Sequence, residues 1–171
     1  MSPKNFVAAY LEHARASEAR TGVPALFALA QAALESGWAG AKPGNAMFGI
    51  KAGGGWQGAR QLLTTREVFA DRHQGHRFPE VVSITPRADG RFDYVVKDWF
   101  RAYASPAESF ADHGAMLRAS RRYARCFETG DPREFARRIA AAGYATDPNY
   151  ANSLIAVIAT IETAMARSAG K

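Results

Sequence analysis

Glu35 ends a run, Ala25 to Leu34, in which every residue except Gln31 is apolar. A helix that is apolar on all sides is normally buried. The sequence therefore predicts a carboxylate where a buried helix stops, followed by Ser36, Gly37 and Trp38. Loss of water disfavours the charged form of such a group and raises its pKa. A carboxylic acid still protonated near neutral pH is the general acid that glycosidic bond cleavage requires.

The elements that must hold Glu35 are marked by capping signals. Ser2-Pro3, Ser105-Pro106, Asp131-Pro132 and Asp147-Pro148 each place a capping residue before a proline suited to the first helical position. Val23-Pro24 offers the proline without the polar cap. Glu108 and Glu134 follow Ser105 and Asp131 at capping-box spacing. Helices are expected over about 3–20, 24–36, 106–120, 131–142 and 148–167. Residues 61–69, 80–86 and 91–103 read as strands, the last after an Asp89-Gly90 turn, and 70–80 as a loop. The expected fold class is α+β, a single catalytic domain. A helical body takes in about 1–60 and 104–171, and a small antiparallel β-lobe about 61–103.

At 171 residues and 47% hydrophobic, the chain suits one domain with a real core. No apolar run reaches the ~20 residues that span a bilayer, so membrane insertion is not expected. Met1 to Asn5 lacks the apolar segment of a secretory signal. Cys126 is the only cysteine, which excludes an internal disulfide, and it is expected to be packed and inert. The net charge of +6 points to an anionic partner. Arg118, Arg121, Arg122 and Arg125 form one cluster, read either as a solvated helix face or as a polymer-binding face. Nucleic acid is not expected, because the basic residues do not interleave with aromatics. His13, His73, His76 and His113 show no metal spacing, and Gly53-Gly54-Gly55 lacks the Lys-Ser or Lys-Thr of a phosphate loop. Neither metal nor cofactor is expected.

Three separated motifs give a more specific signal. Glu35-Ser36-Gly37-Trp38 is followed by Asn45-Ala46-Met47-Phe48-Gly49-Ile50-Lys51-Ala52, and near the end by Gly143-Tyr144-Ala145-Thr146-Asp147-Pro148-Asn149-Tyr150-Ala151. In this order they resemble glycoside hydrolase family 73, the peptidoglycan-cleaving glucosaminidases, which includes flagellar hydrolase domains. The likeness runs from about residue 4 to residue 163. It implies a lysozyme-like fold with a cleft between lobes. It also implies endo-β-N-acetylglucosaminidase activity on the β-1,4 bond between N-acetylglucosamine and N-acetylmuramic acid, with Glu35 as general acid. The family takes a second carboxylate from the β-lobe. Thr64-Thr65-Arg66-Glu67 matches that position, on what reads as a two-stranded ribbon, and Asp71 is the runner-up. Tyr144 matches a tyrosine that the family places near the catalytic glutamate, and Asp147 reads as the cap of the last helix.

Substrate contacts are expected from Asn45, Phe48, Gly49, Lys51 and Tyr103. Gly49 would let backbone approach a ligand. Phe48 packs under a sugar ring or fills the core, and Lys51 can meet a lactyl or peptide carboxylate. Trp38, Trp56, Trp99 and Tyr103 can stack on sugars, with two of the three tryptophans expected in the core. Many relatives carry two consecutive asparagines where this chain has Asn45-Ala46, and residues 70–90 are longer than in the flagellar members. Glu67 can stabilise the cationic transition state or activate water. Inverting, retaining and substrate-assisted routes all stay open.

The partner implied is the peptidoglycan glycan strand, met by a monomer in the periplasm or outside the cell. Without a signal, delivery as a phage lysin or secreted effector is expected, or residence in a larger protein. Two alternatives remain: a lytic transglycosylase of the same fold, and a non-catalytic wall-binding module.

Overall fold

The computed structural model describes residues 1–169. In chain order it forms α1 (Pro3–Thr21), α2 (Ala25–Ser36), β1 (Arg60–Phe69), β2 (Glu80–Pro86), β3 (Phe92–Arg101), α3 (Pro106–Ala119), α4 (Pro132–Ala141) and α5 (Tyr150–Ala169). Short 3₁₀ segments cover Pro43–Asn45, Gly75–Arg77 and Arg121–Glu128. The class is α+β as expected, mainly helical with one small antiparallel sheet. The chain divides into two compact units. One is Met1–Phe48 with the chain from Tyr103 onward, and the other is Gly49–Ala102.

In the helical unit three of the four capping signals act as read. Ser2, Ser105 and Asp131 accept from the backbone N–H of Asn5, Glu108 and Glu134. The reciprocal half of the capping box differs from expectation. Glu108 reaches back to the Ala104 N–H at 3.0 Å, one residue beyond the cap. Glu134 turns to Arg137 and Arg138 instead. Asp147 caps the turn ahead of α5 rather than the helix itself, accepting from the Asn149 N–H at 2.8 Å.

Helices α1, α2, α4 and α5 pack on one another around Phe6, Phe27, Leu29, Phe135, Ile139, Leu154, Ile158 and Ile161, all fully buried. Each such side chain contributes about 1.5–3 kcal/mol by leaving water. Cys126 is buried and unpaired, and burial pushes its thiol pKa up, which fits the inert role.

The sheet unit has strand order β1-β3-β2, all antiparallel. The three strands fall on the three segments read as strands, and β3 pairs on both sides, so Glu67 lies in a three-stranded sheet rather than on a two-stranded ribbon. The 70–80 loop contains one 3₁₀ turn. None of the three tryptophans is fully buried, against the expectation of two in the core. Trp56 and Trp99 lie half-exposed under Arg101 and Arg60, with guanidinium-to-ring distances of 4.3 Å in both cases.

Candidate active site

Helix α2 is buried as far as Ala33 and then emerges, so Leu34 and Glu35 are exposed. Glu35 thus stands where the buried helix stops, as the apolar run predicts, on the part of α2 that has left the core. The helix stops here because Gly37 adopts φ +57, a left-handed conformation that needs no Cβ. The Trp38 N–H bonds Ala33 O at 2.9 Å and the Gly37 N–H bonds Leu34 O at 3.3 Å, a Schellman closure.

Water touches Glu35, yet the carboxyl pKa is still raised above the ordinary glutamate value. The first cause is loss of hydration to the surrounding protein, with the Lys42 charge pulling the other way. The two observations measure different things. Exposure records contact with a water molecule. The cost of charging a carboxyl depends on how much protein replaces water around it. The second decides the protonation state, and its direction is upward. The helix end adds to it, since α2 presents its negative pole to a residue in its last turn.

Around Glu35 the fold gathers residues from four segments. Gln31 lies one turn earlier on the same face of α2 and is fully buried. Its Nε2 donates to the Tyr150 hydroxyl at 2.7 Å. Tyr144 stacks on Tyr150 with centroids 5.7 Å apart and planes at 15°. Tyr123 leans on Tyr144 at 6.0 Å. Burial, then the Glu35 charge, then Tyr123 push the Tyr144 hydroxyl up to about 12, against a hydrogen bond with Gln31. Tyr144 is thus a neutral phenol within electrostatic reach of Glu35. The sequence reading missed Gln31, Tyr123 and Tyr150. Two signals were available: Gln31, the lone polar residue in the apolar run, and Tyr150, which lies inside the third motif.

The loop after α2 is occupied with its own structure. Asn45 Nδ2 donates to Tyr103 O at 2.9 Å, and the Met47 N–H to Ser109 Oγ at 3.0 Å. Phe48 is buried and stacks on His113, and Tyr103 is buried with its hydroxyl donating to Asp112 Oδ2 at 2.7 Å. Phe48 and Tyr103 therefore belong to the core, which corrects their reading as sugar surfaces. Gly49 takes φ +58, with open space where a Cβ would stand. The arginine cluster is not one helix face either. Arg118 lies over the Phe127 ring at 4.6 Å, and Arg122 bonds the backbone carbonyls of Ala142 and Gly143.

In the sheet unit, β1 and β3 place Glu67 and Asp98 on the same face. Lys51 Nζ lies 2.6 Å from Glu67 Oε1 and 2.9 Å from Asp98 Oδ2. Burial works to lower the Lys51 pKa, but these two hydrogen bonds outweigh it and hold it above the usual lysine value. Lys51 is therefore engaged by two carboxylates of its own unit. Asp71 is exposed and holds a turn, accepting from the His73 N–H and Gln74 Nε2, both at 2.9 Å. No group of three or more metal-ligating side chains occurs among the described residues.

A sequence model described as glucosaminidase, mannosyl-glycoprotein endo-beta-N-acetylglucosaminidase, matches residues 11–163. The chain belongs to the glucosaminidase family. Among similar proteins, the peptidoglycan hydrolase FlgJ of Salmonella typhimurium is 33% identical over 162 residues, covering 91% of this chain and 45% of that protein. The chain spans less than half the length of this curated relative and of the Pseudomonas aeruginosa FlgJ, of which it covers 39%. The glycoside hydrolase domain from Salmonella typhimurium FlgJ has the same fold, with TM-score 0.74 at 32% identity, covering 100% of this chain and 94% of that one. The peptidoglycan hydrolase from Sphingomonas sp. A1 gives TM-score 0.68 at 32% identity, covering 98% and 96%.

Proposed function

We propose that this glucosaminidase-family chain hydrolyses bacterial peptidoglycan, cutting the β-1,4 bond between N-acetylglucosamine and N-acetylmuramic acid with Glu35 as general acid. One observation carries the reading: Glu35, in the last turn of a buried helix, is biased towards its protonated form beside the neutral phenol of Tyr144. A protonated carboxyl gives its proton to the departing glycosidic oxygen while positive charge develops on the sugar ring. Tyr144 orients the substrate acetamide or a water through its hydroxyl. Glu67 is the second carboxylate, stabilising the cation or activating water, and Lys51 holds it in place. The similar proteins named peptidoglycan hydrolases support the substrate class. The place of action is the cell wall, in the periplasm or outside the cell. Among the described residues no helix is long and apolar enough to cross a membrane.

The test is digestion of purified sacculi, reduction of the new ends and mass spectrometry of the products. Wild type is expected to leave reducing N-acetylglucosamine. Glu35→Gln is expected to lose activity by about 10²–10⁴-fold with its fold intact. Digestion by Glu35→Gln at the wild-type rate would remove Glu35 from the mechanism. Anhydromuramic acid ends would instead make the enzyme a lytic transglycosylase.

A further inference from the structure

Arg122 lies in the 3₁₀ segment Arg121–Glu128, immediately before Tyr123. Its Nε donates to Ala142 O at 2.5 Å, and its Nη2 donates to Gly143 O. These carbonyls belong to the turn that ends α4. There the Gly143 N–H bonds Ala140 O at 2.8 Å and the Tyr144 N–H bonds Ile139 O at 3.2 Å. Gly143 has φ +75, so the chain reverses at this residue and leaves towards Tyr144. Carbonyls at a helix C-terminus lack partners within the helix, and a cation is favoured beside them.

A cap alone needs only a positive charge. The planar guanidinium does more, because two donors in a fixed fork grip two successive carbonyls and set the direction of the chain between them. That chain carries Tyr144 at its next position, while Arg122 itself precedes Tyr123. The Arg122 guanidinium also lies 5.6 Å from the Tyr123 ring centroid. One side chain thus ties together the two segments whose tyrosines meet at 6.0 Å, with Tyr144 within electrostatic reach of Glu35.

We propose that Arg122 is a positioning residue for this site, fixing Tyr144 against Glu35 through its fork on Ala142 and Gly143. The proposal rests on the catalytic reading of Glu35 and Tyr144 given above. Lys at this position keeps the charge and the cap but has no fork.

The test compares wild type, Arg122→Lys, Arg122→Ala, Tyr144→Phe and the double variant Arg122→Lys/Tyr144→Phe. Sacculus digestion and thermal melting are measured for each. Arg122→Lys is expected to melt within about 2 °C of wild type. Its turnover is expected to fall about tenfold or more, with KM changed less than about twofold. In the Tyr144→Phe background the same change is expected to cost less than about twofold, because the group it positions is already gone. Arg122→Ala should lose turnover at least as far. Wild-type turnover in Arg122→Lys, or an equal tenfold loss in both backgrounds, overturns the proposal. Titration of ¹³C-labelled tyrosine by NMR decides the matter without wall activity. The high Tyr144 pKa of wild type should move back towards 10 in Arg122→Lys. An unmoved Tyr144 titration overturns the positioning role even if wild type proves inactive on sacculi, an outcome that would remove only the functional reading above.

Discussion

The imidazole of His113 lies flat against the ring of Phe48, with centroids 3.9 Å apart and planes at 8°. His113 is fully buried, and neither ring nitrogen has a hydrogen-bond partner. Burial pushes its pKa from 6.5 down to about 3. The folded state therefore holds the neutral ring, while the unfolded chain takes up a proton below about 6.5. This contribution to stability is complete above pH 6.5 and is lost as pH falls towards 3. At about 1.4 kcal/mol per unit, the loss by pH 3 is on the order of 5 kcal/mol. His113→Phe keeps the stacked shape and removes the titration. Denaturant unfolding of both proteins from pH 7 to pH 4 should show a shallower acid decline in the variant. Parallel declines would assign the acid sensitivity elsewhere.

Glu35 must carry its proton to act, so the rate should fall as pH rises through its elevated pKa. Lys42 opposes that elevation. Lys42→Ala should therefore move the basic limb of the pH–rate profile to higher pH. A limb that stays fixed, or moves down, would show that another group controls it.

Lys51 sits between Glu67 and Asp98, and its side chain is 46% exposed. Partial exposure limits what the pair gives to stability, and Lys51→Met should cost about 1 kcal/mol or less at low salt. The activity pattern is more telling. If Lys51 serves Glu67, Lys51→Met should lower turnover, and Lys51→Met/Glu67→Gln should be no slower than Glu67→Gln alone. A rise in KM with turnover unchanged would return Lys51 to the role of a receptor for substrate carboxylates.

Gly143→Ala should destabilise the chain by about 1–2 kcal/mol, the cost of an L-residue in the left-handed region. Its Cβ would also stand 2.6 Å from Arg122 Nη2 and displace the fork. Gly130→Ala has open space around it and serves as the control, with a change within about 0.5 kcal/mol. Equal melting temperatures for the two variants would count against this account of the turn.

The helix starts were legible because serine and aspartate caps before proline are local chemistry. Ser2, Ser105 and Asp131 needed no tertiary information to be placed. The three strands were legible from β-branched composition, but not their order, since pairing of β3 on both sides depends on chain path. The 3₁₀ segment over Arg121–Glu128 was missed because its arginines repeat like a solvated helix face. The protonation bias of Glu35 was visible in the apolar run before it. Its exposure was not, because the run does not say where α2 leaves the core. Tyr123 and Tyr150 lie 88 and 115 residues from Glu35 in the chain, so only folding brings them together. Phe48 was ambiguous between core and surface until its partner His113 was placed, and Tyr103 read as a sugar surface because its partner Asp112 lies nine residues on and is brought to it only by the fold.

Strand β2 borders the sheet and is exposed at every position, with Val82 more than half uncovered. Its pairing with β3 slips between Val81 and Ser83, and it ends on Pro86, which has no N–H to offer. A straight, regular border of this kind would invite a strand from a neighbouring molecule to zip on and seed fibrils. Here the bulge and the proline interrupt the template along this border, which lets β2 keep oily side chains on its rim.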